Sequence, residues 1–178
     1  MRAQKITAIA AHEAGHAVVA YALGYVVKSV RVGRENGYDG TTESEYPEAS
    51  KYLDDDRSEK VRANAFHELI RAMAGLAAED ELGFKAIKTY YGKDLENIQR
   101  AMTEIESINP GISQQSLENI HHNVGSLANI MVNANRNTIR RLAQLLTTGG
   151  TASAAQVDQI CKGAVVVPDE VRKYCEPR

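Results

Sequence analysis

Two histidines four residues apart, with a glutamate beside the first, constrain this chain more than any other feature. The pentapeptide His12-Glu13-Ala14-Gly15-His16 works as a unit only on a helix, where positions i and i+4 stack on one face about 6 Å apart along the axis. Two imidazoles so placed can share one metal ion at distances of about 2.0–2.1 Å. Glu13 projects near the same face, placed to take a proton from a water that the ion activates, so the pattern carries a metallopeptidase mechanism with it. It also demands a third ligand from elsewhere in the chain and an open position for water.

The surrounding residues favour the helix. No proline occurs in residues 3–23, and Gly15 is the single internal glycine. Apolar residues recur at Ile6, Ile9, Ala10, Ala14, Ala17, Val18, Tyr21 and Ala22 with helical spacing. Gly24 is the expected stop. The alanines around the motif allow other elements to approach closely.

A chain of 178 residues, 43% apolar and 25% charged, is long enough for one domain with a proper core. Its net charge of −2 supplies no general pull toward nucleic acid or an anionic membrane, so neither is an expected partner. No run approaches the roughly 20 apolar residues of a spanning helix, and the opening Met-Arg-Ala-Gln-Lys lacks a secretory-leader pattern. Cys161 and Cys175 are too few for a disulfide framework. The expectation is a cytoplasmic protein with two free thiols and no direct membrane insertion.

The pattern along the chain is mostly helical. Residues 26–32 are rich in β-branched side chains and read as a strand, with residues 41–44 pairing back on it after a glycine-rich turn. Such a strand either completes a small sheet or offers its edge to an extended peptide. The acidic run Asp54-Asp55-Asp56 reads as a solvated loop before a helix N-terminus. Helical periods follow over residues 58–82 and from Leu95 to the Asn109-Pro110-Gly111 break. A long helical period runs over 116–146, with a bend expected at 133–137. Ser153 and Gln156 form a capping box for a short helix, and residues 163–178 show no period. The fold class is therefore mainly α (α+β), with a two- or three-stranded β element beside the motif helix.

The third ligand has several candidates. In His67-Glu68-Leu69-Ile70-Arg71 an arginine stands where the second histidine of the motif would be. His121 and His122 are adjacent, so they point different ways on a helix. Glu79 and Asp94 remain, and the residues alone do not separate them.

Three segments in order carry a resemblance. Residues 11–21 around the paired histidines resemble the protease domain of the FtsH-type membrane AAA proteases. Ala74-Gly75-Leu76-Ala77-Ala78-Glu79 is similar to that family's Gly-Arg-Ala-Ala-Glu helix, with Leu76 in place of the arginine. Lys93-Asp94-Leu95-Glu96-Asn97-Ile98-Gln99-Arg100-Ala101 resembles its Asn-Asp-Leu segment, whose aspartate is a zinc ligand. Residues 139–146 and the Ser153 cap resemble its closing helices, so the resemblance spans roughly residues 6–162.

The resemblance implies a zinc metalloendopeptidase in which His12, His16 and Asp94 hold Zn²⁺ and Glu13 is the general base. It also implies one FtsH-like peptidase domain over residues 1–178: a catalytic part at 1–112, C-terminal helices at 113–162 and a tail at 163–178. The family's protease domains form hexameric rings, which makes a homo-oligomer the implied assembly. No Gly-x-x-x-x-Gly-Lys-[Ser/Thr] phosphate loop occurs in the chain, so it is expected to be the peptidase part alone. Its polypeptide substrates are then flexible or unfolded, or delivered by a separate unfoldase chain. The rival reading is a catalytically degenerate protease-like domain that binds a protein partner. An intact Glu13 argues against it, because a structural zinc site needs no base and usually closes all four positions.

Overall fold

The computed structural model describes residues 6–35, 38–45, 57–84 and 92–175. The acidic run 54–56 lies outside them. Along the chain the elements are α1 (Ala8–Ala22), β1 (Val26–Glu35), β2 (Tyr38–Glu45), α2 (Arg57–Glu81), α3 (Lys93–Ile108), α4 (Gln114–Ala134), α5 (Arg136–Gly149), β3 (Thr151–Ser153), α6 (Ala154–Cys161) and α7 (Asp169–Cys175). The protein is mainly helical with one small antiparallel sheet, as the sequence pattern implies. No helix among the described residues is long and apolar enough to cross a membrane.

Helix α1 begins at Ala8 because Thr7 caps it, the Thr7 hydroxyl accepting from the Ala10 N–H at 3.2 Å. It ends where Gly24 takes a positive φ of 87°, a conformation glycine adopts without steric cost. Between these points α1 is surrounded: α2, α5, β1 and β2 all pack on it. Every residue from Ala10 to Ala20 except His12 is buried. This is why the segment is built from alanine, glycine and valine. The crossing with α2 is tight, since a Cβ on Gly15 would lie 2.6 Å from both the Ala74 carbonyl oxygen and the Ala78 Cβ.

The sheet has strand order β2-β1-β3. β1 pairs with β2 along its length, and its residues Ser29–Arg31 also pair with Thr151–Ser153. A register shift between Val27 and Ser29 marks a bulge, which lets Val27 and Val30, three apart, both face the core. The strand at 26–32 is thus central, with both edges taken at 29–31. Of the two roles open to it, completing a small sheet is the one the structure has, in place of a peptide-binding edge at 29–31. Among the described residues β2 lies at the edge of the sheet on one side of it.

The remaining helices close the core. α2 packs against α1, α3, α4 and α7. The bend expected at 133–137 is a break at Asn135, which separates α4 from α5 and is almost fully buried. Its amide donates to the carbonyls of Met131 and Val166 at 2.8 Å each, and its Oδ1 accepts from the Val166 N–H at 2.8 Å. The Ser153–Gln156 capping box is formed as expected. Within residues 163–178, where no period is visible, the structure has α7. Among the described side chains of that short helix, Val171 alone is fully buried. Its order comes from packing on α2 and α4, which sequence periodicity does not register.

Candidate metal centre

α1 presents His12 and His16 one turn apart, and the start of α3 brings Asp94 to them. His12 Nε2 and His16 Nε2 are 3.0 Å apart, and Asp94 Oδ2 lies 3.0 Å from the first and 3.1 Å from the second. Three donor atoms therefore form a nearly equilateral triangle. Among the described residues this is the only group of three or more His, Cys, Asp or Glu side chains that could hold a metal ion. His67 is buried elsewhere on α2, near the Tyr25 ring, and His121 and His122 lie on α4.

The protons show what the triangle fits. The Arg71 carbonyl, 2.8 Å from His16 Nδ1, can only accept, so Nδ1 carries the hydrogen and the Nε2 of a neutral ring presents a lone pair. Glu79 Oε1 lies 2.6 Å from His12 Nδ1, which fixes the same tautomer there. Two imidazole lone pairs and a carboxylate oxygen then converge with no hydrogen between them. Such an arrangement is repulsive unless a cation sits among the three atoms, and nitrogen and oxygen donors of this kind suit a divalent metal. The group can hold a metal ion.

Without an ion, a proton serves as that cation. Burial lowers the pKa of His12, but the hydrogen bonds to Asp94 and then Glu79 outweigh it, holding the imidazolium well above the ordinary histidine range. Burial alone would raise the Asp94 carboxyl; the charges and hydrogen bonds of His16 and His12 instead hold it well below the usual carboxylate range. Asp94 sits in the first turn of α3, where a helix dipole favours a negative charge. Gly92 occupies the N-cap position and provides no side-chain cap, and Asp94 Oδ2 is turned to the histidines.

Glu79, the other candidate ligand, stands behind His12 on its Nδ1 side and orients the ring instead of joining the triangle. Beneath the triangle is Gly75 of α2. A Cβ there would lie 2.6 Å from His12 Cε1, His12 Nε2 and His16 Nε2. The room between the histidines exists because residue 75 has no side chain. His12 keeps 22% of its side chain exposed against 7% for His16, so the centre opens to solvent on the His12 side.

Glu13, also on α1, is buried with its carboxylate against β2. The Thr42 hydroxyl donates to Glu13 Oε2 at 2.7 Å and lies 3.1 Å from the Glu13 carbonyl oxygen. A Cβ on Gly40 would lie 2.5 Å from Glu13 Oε1. Sequence reasoning does not find Gly40, Thr42 or the Arg71 carbonyl, because none carries a local signal. Gly75 does carry one: a glycine in the interior of a helix costs about 1 kcal/mol relative to alanine and asks for a reason.

Neither a protein-family model nor a curated protein matches the chain.

Proposed function

We propose that the protein is a zinc-dependent metalloendopeptidase that hydrolyses peptide bonds of flexible or unfolded polypeptides. The observation that carries this reading is the convergence of His12 Nε2, His16 Nε2 and Asp94 Oδ2 within 3.1 Å of one another, on the helix that also carries the buried carboxylate of Glu13. The ordered resemblance of residues 11–21, 74–79 and 93–101 to FtsH-type protease domains supports it.

His12, His16 and Asp94 would hold the ion, which when bound supplies a Lewis acid for the scissile carbonyl and for a water. Three protein donors leave a position open, as catalytic zinc sites do. Glu13 accepts the proton of the attacking water as the C–O bond forms, and returns it to the amine as the C–N bond breaks. Glu79 and the Arg71 carbonyl keep both imidazoles in the tautomer that exposes Nε2. An extended peptide can add to the edge position of β2 by main-chain hydrogen bonds, which tolerate varied side chains. That tolerance suits substrates selected for being unfolded.

The test is zinc content per chain by elemental mass spectrometry, followed by cleavage of labelled casein by the zinc-loaded chain. One zinc per chain, with cleavage abolished by chelator and by Glu13→Gln while the zinc remains bound, is the expected result. Bound zinc with no cleavage of casein or of unfolded peptides would overturn the peptidase reading in favour of a protein-binding module.

A further inference from the structure

We propose that Thr42 is a positioning residue for Glu13, and that β2 thereby sets the general base and the bound polypeptide in one register; this rests on the peptidase reading above. The Glu13 carboxylate is buried between two residues of the same strand. Thr42 holds one oxygen by a 2.7 Å hydrogen bond, and a side chain at position 40 would collide with the other. Residues 40 and 42 point to one face of a strand, so β2 holds one oxygen with the Thr42 hydroxyl and makes room for the other by having no side chain at Gly40.

A glutamate in water rotates about three side-chain bonds, and the freedom lost on burial is substantial. Thr42 removes that freedom before substrate arrives. The threonine hydroxyl has one proton and two acceptors within reach, the Glu13 carboxylate at 2.7 Å and the Glu13 carbonyl at 3.1 Å. It therefore donates to the carboxylate when Glu13 is ionised. With Oε2 held in this way, the second oxygen is left to take up the proton of the attacking water and to release it to the amine.

Coupling to substrate follows from the sheet. Thr42 pairs with Val30 of β1, which locks β2 from one side, and the edge position of β2 is where an extended peptide adds. A peptide so bound is held at a fixed height relative to Thr42 and through it to Glu13. A residue of this kind acts on turnover and not on peptide affinity or metal retention.

The experiment compares zinc-loaded wild type, Thr42→Val and Thr42→Ser as full chains, measuring kcat and KM on labelled casein together with zinc per chain. Thr42→Val keeps the shape and removes the hydroxyl, and Thr42→Ser keeps the hydroxyl. Expected is a loss of about 10–100-fold in kcat for Thr42→Val, with KM and zinc content unchanged and kcat largely restored in Thr42→Ser. If Thr42→Val fails to fold, Thr42→Ala is read against Thr42→Ser in the same way. A hydroxyl-free variant with wild-type kcat, or one whose loss lies in KM or in zinc content, or a serine variant no better than the valine, overturns the proposal alone. A wild type that binds zinc and cleaves nothing overturns the peptidase reading and this role with it.

Discussion

Glu79 holds His12 from behind, its Oε1 lying 2.6 Å from the Nδ1 that faces away from Asp94 and His16. A carboxylate on the far nitrogen of a metal-binding histidine fixes the ring and strengthens its lone pair, and loss of such a partner costs about 10–100-fold in metal affinity. Glu79→Gln keeps an acceptor for the Nδ1 hydrogen but removes the charge, so it is expected near the lower end of that range, with Glu79→Ala near the upper end. Competition against a chromogenic chelator reads both. A loss in Glu79→Gln as large as in His12→Ala would make Glu79 a ligand in its own right.

Gly75 invites a substitution in which two effects oppose each other. Alanine in a helix interior is favoured over glycine by about 1 kcal/mol, but here its Cβ would meet His12 Nε2 and His16 Nε2 at 2.6 Å. The rings must turn away, and the triangle opens. Gly75→Ala is expected to abolish binding of a divalent metal at the triangle while the metal-free protein changes by no more than about 2 kcal/mol, the helix gain offsetting part of the overpacking cost. Elemental analysis and chemical denaturation of the chelator-treated protein check the two halves. Full metal occupancy in the variant would mean that α1 and α2 can separate without cost.

Much of this architecture was legible in the sequence, and the gaps have a common cause. The motif helix, the strand pair after it and the Ser153–Gln156 cap rest on local patterns, and local patterns survive without knowledge of the fold. The triangle of His12, His16 and Asp94 needed two segments about 80 residues apart to meet; the residues alone left Asp94 beside Glu79, and the resemblance of residues 93–101 to a known segment chose between them. What stayed hidden is non-local. The central place of β1 depends on Thr151–Ser153 returning to pair with it. α7 offers too few apolar positions to show a period and is ordered by α2 and α4. Thr42 is an ordinary strand residue until β2 lies against Glu13.

The His12–Asp94 pair makes the metal-free protein sensitive to pH in a defined direction. The folded pKa of His12 is raised, so its contribution to stability is complete below the unfolded value of about 6.5 and fades as pH rises toward the folded value. The folded pKa of Asp94 is lowered, so its contribution is present above about 3.9 and is lost as pH falls. The pair therefore stabilises the metal-free protein most between about pH 4 and 6.5. At pH 7.5 an incoming ion must displace the His12 proton, and calorimetry in buffers of different ionisation enthalpy is expected to show about one proton released per ion. Apparent affinity should accordingly rise with pH. Binding without proton release would mean that His12 is neutral in the free protein.

Asn135 anchors the C-terminal segment in a way that predicts an order among its variants. Its side chain copies a backbone pairing, accepting from the Val166 N–H and donating to the Val166 carbonyl at 2.8 Å each, while the same amide also donates to Met131 O. Removing it leaves the buried Met131 carbonyl and the part-buried main-chain groups of Val166 without this partner, each costing about 1–3 kcal/mol where water cannot replace it. Asn135→Ala is expected to lose about 2–4 kcal/mol in urea denaturation at neutral pH. Asn135→Asp keeps the size but sets a buried carboxylate against two carbonyl oxygens, and should be worse still. Burial and these oxygens raise its folded pKa, so its deficit relative to wild type shrinks as pH falls and the carboxyl regains a donor proton. Metal affinity at the triangle should be the same in both as in the wild type, since Asn135 makes its side-chain hydrogen bonds to Met131 and Val166 and not to residues around the triangle. An alanine variant within about 0.5 kcal/mol of wild type would show that α4, α5 and the segment before α7 hold together without the clamp.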